Sequence, residues 1–197
     1  MSEIQRGSEV RNSEYPIDRL FLDRWSPRAM SGEPIGESEL LTLFEAAHWA
    51  PSSGNSQPWR FLYARRDTEH WPLFFELLNE NNKTWCHRAA ALIVFISRTT
   101  SDTGRVLRTH SYDTGSAWMT LAYQAWMKGL IAHGMAGFDY DRAKATLNVP
   151  DDFTVEAMAA VGKPGPKEDL PPQHLSRELP GQRKPVSDLV FAGPYRT

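Results

Sequence analysis

Between residues 89 and 96 the chain reads Ala-Ala-Ala-Leu-Ile-Val-Phe-Ile, a stretch without one polar side chain. It falls far below the roughly 18 to 20 apolar residues that cross a bilayer, so a membrane span is excluded here and a buried strand is expected. No other part of the chain is as apolar, which makes this the most buried strand of the fold. The other elements are read around it. Leu40, Leu41, Phe44, Ala47 and Ala50 recur at three- and four-residue steps up to Pro51, the pattern of a helix that a proline stops. Trp59 to Ala64 alternates aromatic with other residues and suits a strand. Helical spacing returns over 67–79 through Trp71, Phe74, Phe75 and Leu78, and a charged connection follows over 98–108.

The longest helix is expected from about Ser111 to His133, with Gly115, Ala117, Ala122 and Ala125 small enough to admit another helix, as in a dimer core. A short helix at about 140–147 and a strand at 154–161 complete the regular part. Upstream, Pro16 opens a helix carrying Leu20, Phe21 and Trp25, which ends before Pro27. Residues 1–14 are polar and aperiodic, the composition of a mobile arm. From about 163 to 197 repeated prolines predict an extended C-terminal arm. Helices and strands do not alternate regularly, so an α+β fold is expected, with one domain over 15–197.

Lys and Arg number 22 against 24 Asp and Glu, a net charge of −2, which speaks against a nucleic-acid clamp or a polybasic membrane surface. The lone Cys86 allows no intramolecular disulfide and no four-cysteine metal centre, and it is expected as an inert thiol. A reducing cytoplasm fits that usage, and the first residues lack the apolar core of a secretory signal. The histidines show no metal-site spacing, so no metal is expected. The triplets Asp102-Thr-Gly104 and Asp113-Thr-Gly115 lie too close in sequence for a protease-type aspartate dyad; Asp102 reads as a turn residue and Asp113 as a helix-start residue. No phosphate-loop pattern with its lysine is present.

Three segments make a coherent site together. In Arg24-Trp25-Ser26-Pro27-Arg28, an extended backbone would turn Arg24, Ser26 and Arg28 to one side, where two forked guanidinium groups and a hydroxyl suit a phosphate monoester. The loop Pro51-Ser52-Ser53-Gly54-Asn55-Ser56-Gln57-Pro58 offers neutral donors and acceptors that suit a polar heterocycle or a ribityl chain. In Gly134-Met135-Ala136-Gly137, the glycines let main-chain N–H groups approach a planar ligand closely.

With Arg183-Lys184-Pro185 near the end, these motifs in this order resemble the FMN-dependent nitroreductase family over about residues 16–191. The resemblance implies a homodimeric three-layer α+β sandwich, its central sheet mainly antiparallel and flanked by helices, with FMN bound non-covalently in two clefts at the subunit interface. It implies that Arg24, Ser26 and Arg183 meet the phosphate and ribityl chain, with Trp25 beside them, and that Arg28 lies by the pyrimidine edge of the flavin. Pro51, Ser52, Ser53, Asn55 and Gln57 would reach the cofactor from the partner subunit, while Met135, Ala136 and Gly137 would line the ring near N5. The implied activity is a ping-pong transfer of hydride from NAD(P)H through flavin N5 to a small electron-poor acceptor such as a nitroaromatic or quinone. No obligatory catalytic side chain is implied, because the flavin carries the redox chemistry. A protein that stores or senses FMN without turnover is the rival reading. Two departures from the family pattern stand out: Ala136 replaces a common glutamate, and Gly181 replaces a second basic residue, for which Lys184 is the expected substitute.

Overall fold

The structure is a computed structural model and describes residues 4–195. Four strands, β1 (Trp59–Arg65), β2 (Ala91–Arg98), β3 (Ile131–Met135) and β4 (Phe153–Gly162), form one sheet in the order β1-β2-β4-β3. All three pairings are antiparallel. The apolar run does form the most buried strand: every residue of β2 before Arg98 is buried. Period-two alternation explains why both of its faces are apolar. Leu92, Val94 and Ile96 enter one core, shared with Phe74, Leu77, Trp85 and Cys86. Ala91, Ile93 and Phe95 enter the other, shared with Leu40, Leu43, Leu121 and Ala125. Helices therefore cover both faces, and the α+β three-layer sandwich stands.

Helices α2 (Glu37–His48) and α5 (His110–Met127) make one outer layer; α3 (Trp71–Phe75), α4 (Glu80–Cys86) and α6 (Tyr140–Thr146) belong to the other. The short α1 (Arg19–Asp23) precedes them, with Asp18 as its N-cap accepting from Leu20 N. A turn of helix, α7 (Pro172–Leu175), lies in the C-terminal segment. Among the described residues, no helix is long and apolar enough to cross a membrane.

The helix expected to open at Pro16 and carry Trp25 is only α1, which starts after the Asp18 cap and ends before Trp25, and further expectations are corrected. The helix expected to run to His133 ends at Met127, and residues 131–135 are the edge strand β3. Gly129 takes a positive φ of 70°, Leu130 N bonds Ala125 O and Gly129 N bonds Trp126 O, which is a Schellman stop. The single helix expected over 67–79 is only α3; Asn79 then caps the separate α4 by accepting from Asn82 N. Residues 1–14 are not a free arm in their described part. Residues 7–9 form a 3-10 turn, Arg11 is buried, and the Trp25 indole donates to Gln5 O at 2.8 Å. Residues 1–3 of that arm, and 196–197 of the C-terminal one, lie outside the described residues. The C-terminal segment also docks over its first half, burying Leu170, His174 and Glu178, while residues 181–195 are exposed.

Between the pairs Phe95–Ala157 and Ile96–Val155, β4 carries one extra residue, Glu156. Such a bulge re-aims a side chain. Glu156 accepts from the hydroxyls of Ser97 and Ser111, tying β4 to β2 and α5. His110 Nδ1 meets the same Ser97 hydroxyl at 2.7 Å. This is a structural tie rather than a nucleophile relay, since the fully buried Ser97 hydroxyl donates to the carboxylate.

Candidate functional site

Where α1 ends, Arg24 turns extended (φ −69°, ψ 127°), and from there burial alternates. Trp25, Pro27 and Ala29 are buried, and Arg24, Ser26 and Arg28 are half-buried. The three polar side chains thus share one face, as the spacing predicts, and all three line a cleft of about 230 Å³. Trp25 also borders the cleft, but its indole is 8% exposed and bonded to Gln5 O, so its ring serves packing. Arg24 Nη1 donates to Trp25 O at 3.0 Å and meets the Ser26 hydroxyl at 3.3 Å, which presets the pair.

From the C-terminal segment the cleft receives Arg177, Gly181 and Arg183, and from β3 it receives His133. Arg11 arrives from the N-terminal segment, donating from Nε to Gly181 O at 2.8 Å and from Nη1 to Leu22 O at 2.8 Å and Arg24 O at 3.0 Å. Burial lowers the Arg24 guanidinium pKa, and Arg11 and Arg183 add repulsion that Tyr123 opposes. The His133 imidazole is pushed down to about 4, first by burial and then by Arg28. It is neutral near pH 7, donates from Nδ1 to Pro27 O at 3.1 Å, and keeps Nε2 as an acceptor.

One carboxylate stands behind this array. Glu178 Oε1 accepts from Arg28 N at 2.6 Å and Ala29 N at 2.9 Å; its Oε2 lies 3.8 Å from Arg28 Nη1, buried and without a hydrogen bond. Burial pushes the Glu178 carboxyl up, while the two main-chain donors and Arg28 oppose that shift. Arg11, Arg177, Glu178 and His133 were not legible as site residues. Their signal is only spatial, because each sits in a segment whose local pattern is that of a turn, an edge strand or an arm.

The loop Pro51–Gln57 lines no part of this cleft in the same chain. It lies at the start of α5, where Ser53 N donates to Asp113 Oδ2 and Gln57 N to Ser52 Oγ. Pro51, Ser53, Asn55 and Gln57 are exposed. Asn55 and Gln57 hold φ of 55° and 44°, left-handed values that cost non-glycine residues about 1–3 kcal/mol each and cluster at functional sites. The two aspartates of the Asp-Thr-Gly triplets serve structure: Asp113 also accepts from Thr109, and Asp102 pairs with Arg98.

At the end of β3, Met135 is buried with its Sδ 3.4 Å from Cys86 Sγ, and Ala136 is exposed. Gly137 packs against two asparagine side chains. A Cβ there would stand 2.5 Å from Asn79 Nδ2 and 2.7 Å from Asn82 Nδ2. Lys184 is not among the residues lining the cleft. No group of histidine, cysteine, aspartate or glutamate side chains among the described residues is arranged to hold a metal ion.

The family model described as Nitroreductase family matches residues 22–163, well over half of the chain, and the chain belongs to that family. A solved structure described as an oxidoreductase containing FMN is 49% identical, with a TM-score of 0.91 over 94% of this chain and 96% of that one. An NADH dehydrogenase of Thermus thermophilus is 27% identical over 80% of this chain and 90% of its own length. The 5,6-dimethylbenzimidazole synthase of Rhodospirillum rubrum is 27% identical over 82% and 87%.

Proposed function

We propose that this member of the nitroreductase family is an FMN-dependent oxidoreductase that takes its electrons from NAD(P)H. The observation that carries the reading is the cluster of Arg24, Arg183 and their guanidinium neighbours around one small cleft, with the Glu178 carboxylate turned behind Arg28. Like charges brought together with partial desolvation call for an anion, and a phosphate monoester with about −1.5 to −2 charges is matched to them. Arg24, Ser26 and Arg183 would hold the phosphate and the adjoining hydroxylated chain, and Arg28 the pyrimidine edge. Met135, Ala136 and Gly137 would border the ring. When bound, the flavin supplies two-electron redox chemistry between NAD(P)H and an electron-poor acceptor such as a nitroaromatic or quinone.

The chain's own residues then do three things. Arg24, preset by Trp25 O and Ser26, orients the phosphate tail. Glu178 fixes the main chain at Arg28, whose guanidinium would favour the negative charge of a reduced flavin bound beside it. Neutral His133 adds an acceptor without adding a further charge.

A cleft of about 230 Å³ is smaller than the roughly 300–1,000 Å³ of sites that enclose a small molecule. This supports a homodimer in which Pro51, Ser52, Ser53, Asn55 and Gln57 complete the partner's cleft. Anaerobic mixing of the flavin-loaded protein with NADH and with NADPH tests the activity. Bleaching of the flavin near 450 nm by at least one, and its return on adding a quinone, is the expected result. Flavin that stays oxidised with both would leave a binding protein without turnover.

A further inference from the structure

The C-terminal segment lacks a basic residue at Gly181, and Lys184 does not reach the cleft. Besides Arg183, whose Nη1 donates to Gly181 O at 3.4 Å, a second cation reaches Gly181 from the other end of the chain. Arg11 is 9% exposed, and its Nε and Nη1 are spent on the carbonyls of Gly181, Leu22 and Arg24. Nη2 has no protein partner among the described residues, and Arg11 lines the cleft. Burial and the neighbouring Arg183 both work against its charge. No carboxylate pairs with it among the described residues. Such a guanidinium is stabilised when an anion arrives.

The segment that carries Arg11 is held at several points. Gln5 O accepts from Trp25, Arg11 N bonds Gly7 O at 2.9 Å, and Val10 O accepts from Gln182 Nε2 at 2.8 Å. Gly7 permits this approach, since a Cβ there would overlap the Leu22 carbonyl oxygen. Arg11 therefore stands in a built position, joining three separate stretches of chain.

We propose that Arg11 is a phosphate-anchoring residue supplied by the N-terminal segment, taking the place of the cation missing at Gly181 and presenting Nη2 to the cofactor's phosphate. This rests on the FMN reading above. Riboflavin, which is FMN without the phosphate, separates anchoring from a tethering role, because a lost tether weakens both flavins alike.

Flavin-free protein is titrated with FMN and with riboflavin, following quenching of flavin fluorescence, for wild type, Arg11→Gln and Arg11→Gln/Gly181→Arg. A charge-assisted hydrogen bond predicts that Arg11→Gln weakens FMN by about 10- to 100-fold. Riboflavin affinity stays within about twofold. A Cβ at Gly181 would meet only Arg183 Nη1, at 4.0 Å, so the added arginine fits there and restores at least part of the FMN preference. Equal weakening of both flavins, or an unchanged FMN affinity, overturns the proposal. If Arg11→Gln does not fold, Arg11→Lys serves: it loses the guanidinium fork and with it the hydrogen bond from Nη2, so weakening of FMN that riboflavin does not share supports the anchor, and an unchanged FMN affinity or equal weakening of both flavins refutes it. Wild type that binds riboflavin as tightly as FMN, or neither flavin, removes the FMN reading itself and the anchor with it.

Discussion

Replacing Gly137 by alanine separates two reasons for having a glycine at the end of β3. If the residue is small so that a flat ligand can approach, the methyl group weakens flavin binding and leaves the apoprotein intact. The packing points the other way. The new Cβ would sit 2.5 Å from Asn79 Nδ2, 2.7 Å from Asn82 Nδ2 and 3.2 Å from Asn79 Cγ. Neither amide is free to swing aside, since Asn79 Oδ1 caps α4 through Asn82 N and Asn82 Nδ2 donates to Gly137 O at 3.0 Å. Overpacking of this kind costs about 1–3 kcal/mol, and losing the cap about 0.5–2 kcal/mol where it is the part that yields. Gly137 is not among the residues with positive φ, so alanine gains about 0.4–1 kcal/mol from a stiffer unfolded chain. The net expectation is a loss of about 1–2 kcal/mol, or roughly 2–8 °C in Tm at this size. Urea unfolding of the flavin-free protein measures it directly. Unchanged apoprotein stability with markedly weaker flavin binding would refute the packing argument and return Gly137 to the ligand.

His133, held near 4 against an ordinary 6.5, binds fewer protons folded than unfolded. Stability is therefore full above pH 6.5 and falls as pH drops toward 4, by at most about 1.4 kcal/mol per pH unit from this group. His133→Asn should lack that part of the slope in urea titrations between pH 7 and 4.5; an identical slope would contradict the assignment. Cys86 is fully buried and its thiol is pushed well above its ordinary pKa by burial, so a disulfide reagent should modify it only after urea unfolding. Fast reaction with the native protein would show that α4 opens. In hybrid dimers of an Arg24→Ala subunit with an Asn55→Ala subunit, one of the two sites should be intact and retain tight flavin, whereas each parent dimer has both sites impaired. Hybrids no better than their parents would place the loop and the cleft in separate sites.

Much of the fold is local and was legible for that reason. The apolar run at 89–96 became the central strand, and the three- and four-residue steps from Leu40 to Ala47 became α2. The end of α5 was equally local, since Lys128-Gly129-Leu130 carries a glycine stop; the small residues before it masked that signal. The split between α3 and α4 was harder. Asn79 reads as a helix interior until Gly137, 58 positions away, accepts its N–H.

The Arg24-Ser26-Arg28 face followed from strand periodicity, a property of neighbouring residues that survives any tertiary arrangement. The side on which these three polar groups converge was thus written in the order of residues. Which further cations line the same cleft was not. Arg11 reaches Gly181 across 170 positions and Glu178 reaches Arg28 across 150, and no periodicity links residues so far apart. Those contacts exist because both chain ends dock beside the same extended segment, and only the folded chain brings their charges together.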